Sequence, residues 1–178
     1  MRTPLAILLL ALAASASAQG RHNSAAPIDF GADRIELQDK ANRAVLSGGV
    51  AVKQAEMTLN ANRMTVNYTG QVIGGNPQVS RLDAAGGVTV RRPDQTARSQ
   101  YAVYDLNRRV ITMVGGVQLN QRGNTVSGGR LTINLDTGRA VIDGSGVASG
   151  SAGTTGATTT TPGGRVTGTF SVPKRDAQ

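Results

Sequence analysis

The chain has 178 residues, a formal net charge of +8, 3% aromatic residues and no cysteine. The lack of cysteine excludes a disulfide scaffold and thiolate metal sites, so stability must come from burial and backbone pairing. So few aromatic side chains argue against a stacking platform for sugars or bases. The basic excess suits an anionic lipid, an acidic glycan or a membrane surface, and it equally suits simple solubility.

Residues 1–18 predict a secretory signal peptide. Arg2 precedes an apolar run over residues 5–14, and small residues lead to a cleavage site after Ala18, with Ala16 as the alternative. The apolar run is too short to span a bilayer. We therefore expect an exported mature protein, for which nucleic acid is not an expected partner.

One phrase, two glycines followed by alternating valines, occurs four times in the mature chain. The copies are LSGGVAV (46–52), AAGGVTV (84–90), MVGGVQL (113–119) and the looser DGSGVAS (143–149). The first spacing is 38 residues because a loop is inserted at 70–78, and the next two are 29 and 30. A regular period of this length indicates stacked supersecondary units.

Between the glycine phrases, apolar residues alternate with polar ones. Ile35 and Leu37 do so in the first unit, and Leu131 and Ile133 do so in the last. A period of two indicates a strand with one buried face, and turn-forming residues separate the runs. The sequence predicts about three short strands per unit and an all-β domain over residues 19–148.

Each glycine pair lies inside a strand pattern, which is typical of a bulge or a sharp bend. The alternative is a phosphate-cradling loop, but that loop needs a following helix, which the sequence does not predict. Bends at the same place in every unit would roll the sheet into a V with two apolar inner faces.

The C-terminal segment, residues 149–178, is rich in glycine and threonine. This composition favours a flexible tail because little apolar surface is available for burial. Residues 165–172 alternate again, and they are the candidate for a last strand within the tail.

The sequence nominates no catalytic site. His22 is the single histidine and lies in a polar stretch after the cleavage site, which we expect to be disordered. Without cysteine or a second histidine, neither a Cys–His dyad nor a well-supported Ser–His–Asp triad can be assembled, and zinc ligands are missing. The aspartates fall mostly at expected turns, and the repeat period differs from that of calcium-binding β-rolls. We predict no enzyme activity, no cofactor and no metal site.

The segment 25–68 resembles the OstA-like family of periplasmic lipopolysaccharide-transport bridge proteins. The features that carry the resemblance are Pro27-Ile28 followed by Ala32-Asp33, then Gly48-Gly49-Val50-x-Val52, then Ala61-Asn62-x-Met64. Asn62 departs from the aspartate that is usual there in the family. The likeness extends over residues 25–148.

The resemblance implies a repeat-built, V-shaped β-jellyroll in the periplasm. It implies an apolar groove that shields the acyl chains of lipid A in lipopolysaccharide from water, at about 0.8 kcal/mol per buried methylene. It also implies head-to-tail self-association, and edge-strand pairing with an inner-membrane anchored export partner and an outer-membrane translocon. The chain would thus carry lipopolysaccharide from the inner to the outer membrane.

Alternation in register across the repeats nominates one lipid-facing set of side chains. It consists of Ile35, Leu37, Leu46, Val50, Val52, Met57, Leu59, Met64, Val66, Val88, Val90, Tyr104, Val117, Leu119, Leu131 and Ile133. Four arginines, Arg91, Arg92, Arg108 and Arg109, are candidates for phosphate contacts at the rim. The alternative for the arginines is a solvated edge that opposes aggregation.

Two other functions stay open from the sequence. A non-catalytic structural β-repeat protein of the envelope would use the same apolar residues as a dry core. A carbohydrate-active enzyme on a β-solenoid would need a pair of catalytic carboxylates, and the sequence singles out none.

Overall fold

The computed structural model describes residues 22–70, 75–144 and 166–169. Its strands are β1 (Ile28–Gly31), β2 (Arg34–Gln38), β3 (Arg43–Gln54), β4 (Met57–Thr69), β5 (Gln78–Arg92), β6 (Gln95–Asp105), β7 (Val110–Gln121), β8 (Asn124–Asn134), β9 (Ala140–Asp143) and β10 (Thr167–Thr169). A short 3-10 helix, Asp39–Ala41, joins β2 to β3. The predicted signal peptide lies outside the described residues, and within them no helix is long and apolar enough to cross a membrane.

All ten strands belong to one antiparallel sheet, which confirms the predicted all-β class. The strands from β3 to β8 follow one another as a meander. At one end, β1 and β2 pair with successive parts of β3, and at the other end β10 and β9 pair with successive parts of β8. The sheet therefore ends in two short strands on each side.

The glycine pairs bend β3, β5 and β7 near their middles. Gly48 and Gly49 have φ values of 78° and 51°, and Gly86 and Gly87 have 81° and 62°. The register shifts at each pair, with Ser47/Val50 as the first case, because the glycine strand places extra residues opposite its neighbour. This pattern is a β-bulge, which bends a strand without ending it. The prediction of about three short strands per unit is therefore wrong, since long bent strands run through the glycines.

The bends divide the sheet into two parts, which we call half A and half B. Half A consists of segments 34–38, 43–47, 63–67, 81–85, 101–105, 110–114, 130–134 and 140–143, and half B consists of segments 28–31, 50–54, 57–61, 88–92, 95–99, 117–121, 124–128 and 167–169. Side chains from both halves form a single buried hydrophobic cluster. The two inner faces therefore pack against each other, with the bends on one side and the strand tips on the other.

The last described strand, β10, falls inside the range 165–172 that the sequence offers as a final strand. Its residues pair with Thr125, Val126 and Ser127 of β8. The rest of the predicted flexible tail lies outside the described residues. Half B is thus closed at its C-terminal end by a strand that lies far along the chain from β8.

We expect Gly86→Ala to destabilise the fold by about 1–3 kcal/mol, because an L side chain is strained at positive φ. A Cβ at this position would also lie 3.0 Å from Cβ of Asn62. Gly31→Ala is the matched control, since a Cβ there would meet nothing within 4 Å. Urea unfolding of the two variants tests this, and equal midpoints would show that the bend does not require glycine.

Candidate functional site: the interior between the two halves

The structure places the predicted lipid-facing residues on the inner faces of the two halves. Neighbours in the register, such as Leu46 opposite Met64 and Val52 opposite Leu59, share one face. Except for Ile35 and Leu37, every member of the predicted set is buried, at 7% exposure or less. Whether these side chains contact lipid stays a prediction.

The prediction omitted other inner residues because their sequence signals are weaker. The omitted buried residues are Ala44, Ala61, Tyr68, Leu82, Ala84, Ala97, Ala102, Ile111, Met113 and Leu135. Alanine carries only a weak apolar signal in an alternating pattern. The inner positions of the other omitted residues become evident once the register of each strand is known. Extending the alternation along each strand through the glycine bulges would have found Leu82, Ile111 and Met113.

The N-terminal end of the roll exposes apolar side chains of the inner faces. Phe30 lies opposite Val52, and Ile35 and Leu37 lie opposite Leu46 and Ala44, so all three belong to the inner faces. Their exposed fractions are 46% for Phe30, 46% for Ile35 and 57% for Leu37. The apolar interior therefore continues to the surface at this end.

The C-terminal end of the roll is covered more closely. Gly128 lies opposite Val117 on the inner face, and a Cβ at Gly128 would clash with Cγ2 of Ile142. Cγ2 of Val166 would lie 3.5 Å from the same Cβ. Side chains from β9 and the segment before β10 thus pack over the backbone of β8, and Val166 remains 43% exposed.

The four candidate rim arginines do not form one cluster. Arg91 pairs with Thr58 and faces the outer side of half B, whereas Arg92 follows it at the strand tip and lines a cleft. Arg108 and Arg109 lie in the turn between β6 and β7, at the tips of half A. Phosphate binding by any of these arginines stays a prediction.

A cleft of about 710 Å³ lies where the strand tips of the two halves approach each other. Turn residues of half B, including Glu56, Arg92 and Arg122, form one side, and residues 135–138 next to half A form the other. Gln95 also lines this cleft, and its Nε2 is buried without a hydrogen-bond partner in the described part of the chain. The cleft is polar, so it differs in chemistry from the apolar interior beneath it.

The prediction that His22 is disordered is wrong. His22 is only 9% exposed, and its Nε2 lies 3.3 Å from Oε1 of Gln54. Tyr104 donates a second hydrogen bond to the same oxygen at 2.6 Å, and Nε2 of Gln54 donates to the carbonyl oxygens of Ser24 and Ala26. Composition could not reveal these contacts, because the partners are about 30 to 50 residues apart in the chain.

Burial fixes the protonation of two members of this network. Desolvation is the largest effect and lowers the pKa of His22 below 6.5, and the nearby Arg92 lowers it further. The hydrogen bond with Gln54 raises this pKa, and Glu56 and Asp136 raise it by smaller amounts, but the net shift is downward. Burial raises the pKa of Tyr104 to about 12, so its hydroxyl stays protonated and donates to Gln54. The neutral His22 must carry its proton on Nε2 if it donates to the same oxygen.

No metal centre accompanies these groups. Within residues 22–70, 75–144 and 166–169, no cluster of three or more histidine, cysteine or carboxylate side chains has the arrangement needed to hold a metal ion. Asp83 lies within β5, where it forms an ion pair with Arg81 at 2.7 Å.

We expect acid to destabilise the protein through His22. Because its folded pKa lies below the unfolded value, the unfolded chain binds more protons, so this contribution is complete above pH 6.5 and falls as the pH decreases through and below that value. Thermal unfolding between pH 7.5 and 5.5 should show a larger loss for the wild type than for His22→Gln. A proton-NMR titration that gives His22 a pKa of 6.5 or higher would contradict the burial.

Comparisons with known proteins agree with this architecture. Residues 30–139 match the family model described as LptA/(LptD N-terminal domain) LPS transport protein. Uncharacterized protein R00383 of Rhizobium meliloti (strain 1021) is 31% identical over 144 residues, which cover 78% of this chain and 77% of that protein.

A solved structure shows the same fold. It is the crystal structure of LptH, the LptA-homologous periplasmic component of the conserved lipopolysaccharide transport device from Pseudomonas aeruginosa. The TM-score is 0.65 at 21% identity, over 84% of this chain and 99% of that chain, which confirms the predicted β-jellyroll fold. From the family match and the relative, the chain belongs to the LptA/(LptD N-terminal domain) family of LPS transport proteins.

Proposed function

We propose that this protein binds lipopolysaccharide in the periplasm and carries it from the inner to the outer membrane. The acyl chains lie between the inner faces of halves A and B, and copies of the protein form a head-to-tail bridge. Membership of a family of LPS transport proteins supports the proposal. The protein acts as a carrier and catalyses no reaction.

The exposed apolar strip at the N-terminal end is the observation that carries the proposal. Phe30, Ile35 and Leu37 belong to the inner faces, yet water reaches about half of each side chain. Contiguous exposed apolar side chains mark binding surfaces in soluble proteins. Since this strip is continuous with the buried cluster, an acyl chain that contacts it has an apolar path into the interior.

The chemistry of the inner faces suits a hydrocarbon ligand. Their buried side chains include no ionisable residue beyond Tyr104, Tyr68 and the peripheral His22, and the other buried polar groups are Gln54, Gln95 and Ser99. An acyl chain between these faces gains about 0.8 kcal/mol for each methylene removed from water. A charged group would instead be desolvated at high cost, so the polar part of the lipid stays outside the interior.

The tight packing of the interior favours a second candidate, a structural envelope protein with a dry core. Leu46, Met64, Ile111 and Leu131 have no exposed surface, so the two halves touch along their length in this state. The structural role requires the interior to stay closed, whereas the carrier must open it. Binding of lipopolysaccharide to the purified mature protein distinguishes the two.

We expect Leu37→Asp to weaken lipopolysaccharide binding about tenfold or more, because a desolvated carboxylate opposes an acyl chain at the entrance. Glu36→Ala is the matched control, since Glu36 lies between Ile35 and Leu37 but on the outer face. Titration of fluorescent lipopolysaccharide into each variant measures the affinity.

The same variants test transport in the host. After depletion of the wild-type protein, lipopolysaccharide should accumulate in the inner membrane, and Glu36→Ala should restore delivery better than Leu37→Asp. Normal delivery during depletion would contradict the carrier function.

The ends of the sheet support head-to-tail assembly and pairing with the membrane partners. Within the described residues, β1 and β2 pair only with β3, and β9 and β10 pair only with β8. Each end therefore presents a free backbone edge, which is a template for strand addition. The N-terminal edge of one copy would then pair with the C-terminal edge of the next, which joins their interiors.

We expect the mature protein to self-associate as its concentration rises, because each copy offers both free edges. Sedimentation velocity over a hundredfold concentration range measures this growth. A single monomeric species at every concentration would contradict self-assembly, although pairing with the membrane partners would then still need its own binding assay.

A further inference from the structure

The packing of the interior raises the question of how a lipid enters. Met64, Ile111 and Met113 are fully buried, and their faces are closed by side chains of the protein itself. Protein interiors at this density leave no room for an acyl chain beside the existing side chains. Uptake therefore requires halves A and B to separate, and the bends leave only the side with the strand tips free to open.

One buried amide joins the two halves at this side. Gln54 is at the tip of half B and is 2% exposed, and its oxygen accepts the hydroxyl of Tyr104 from half A at 2.6 Å. The same oxygen accepts from His22, while the amide nitrogen donates to the carbonyls of Ser24 and Ala26 at 3.0 Å and 3.1 Å. Both lone pairs and both protons of the amide are thus used.

A second connection reaches half A directly. Oγ of Ser24 donates to Oδ1 of Asp136 at 2.9 Å, just beyond the tip of β8. Arg109 holds the same carboxylate by an ion pair of 3.2 Å. Because residues 22–27 lead straight into β1 of half B, the contact between Ser24 and Asp136 ties the start of β1 to half A across the side with the strand tips.

From these contacts we infer that residues 22–27 and the hydrogen bond between Gln54 and Tyr104 together form a latch, which closes the side of the roll opposite the bends. Lipid uptake requires the contact of Gln54 with Tyr104 and the contact of Ser24 with Asp136 to break. This inference rests on the proposed function, because it concerns how the lipid reaches the interior.

The chemistry of the latch suits a contact that opens and closes. It consists of hydrogen bonds, which exchange for water at small net cost, whereas the core it covers is held by apolar packing. The latch also lies next to β1, the edge strand that carries Phe30. A lipid or a neighbouring copy that engages the N-terminal end therefore acts on the same segment of chain.

A disulfide between Ser24→Cys and Asp136→Cys tests the latch. The chain has no native cysteine, so oxidation of this double variant forms a single defined link, and reduction of the same sample restores a free segment. The probe is fluorescent lipid A added to the purified mature protein. We expect uptake at least tenfold slower in the oxidised form than after reduction, and equal rates would overturn the latch.

The variant Tyr104→Phe gives a second measurement that does not depend on a cross-link. It removes the hydroxyl that bonds to Gln54 and keeps the ring, so uptake should be about threefold faster or more. Asp39→Ala is the matched control, because it removes the acceptor for the Tyr68 hydroxyl, a contact between the 3-10 helix and β4 that does not join half A to half B. A rate for Tyr104→Phe no different from that of Asp39→Ala would overturn the latch.

The two proposals fail in different ways. If wild-type protein and the reduced double variant both fail to take up lipid A, the carrier function is overturned and the latch with it. If both take up lipid A and the oxidised form does so equally fast, the carrier function stands and the latch alone is overturned.

Discussion

Every long strand of the roll must turn at the same height, and in β3, β5 and β7 the paired glycines at positive φ allow that turn. A side chain at Gly48 would collide with Asp33, and one at Gly86 would press on Asn62. Because the bulge leaves the ladder continuous on both sides, one sheet supplies both inner faces. The interior, its open N-terminal end and its closed tip side all follow from the common position of the bends.

The sequence predicted the features that depend on local pattern. Alternation assigned Val50, Val52 and Met64 to one face, and the recurrence of the glycines located the bends. The predicted number of strands was wrong because a glycine pair can either end a strand or bend it. Pairing with the neighbouring strand on both sides of the glycines determines which of the two occurs. Alternation also assigned Ile35 and Leu37 to the inner face. Their exposure depends on whether another strand lies beyond β2 in the sheet, and a local sequence pattern carries no information about that.

The closure at the strand tips was not predictable from the sequence, for a physical reason. Gln54 is a polar residue at a strand end and His22 lies in a polar stretch after the predicted cleavage site, so composition favours exposure of both. Their burial depends on one another and on Tyr104, fifty residues away from Gln54, so no single position carries the signal. This chain joins an interior specified by repeated local rules to strand tips that a few long-range hydrogen bonds hold together.

Cross-linking along β2 shows whether lipid acyl chains contact the inner face of the sheet. A photo-reactive benzoylphenylalanine placed in turn at Ile35, Glu36 and Leu37 samples inner, outer and inner positions of one exposed strand. We expect strong cross-links to lipopolysaccharide from positions 35 and 37 and little from position 36. Equal labelling at all three positions, or labelling at position 36 alone, would contradict it.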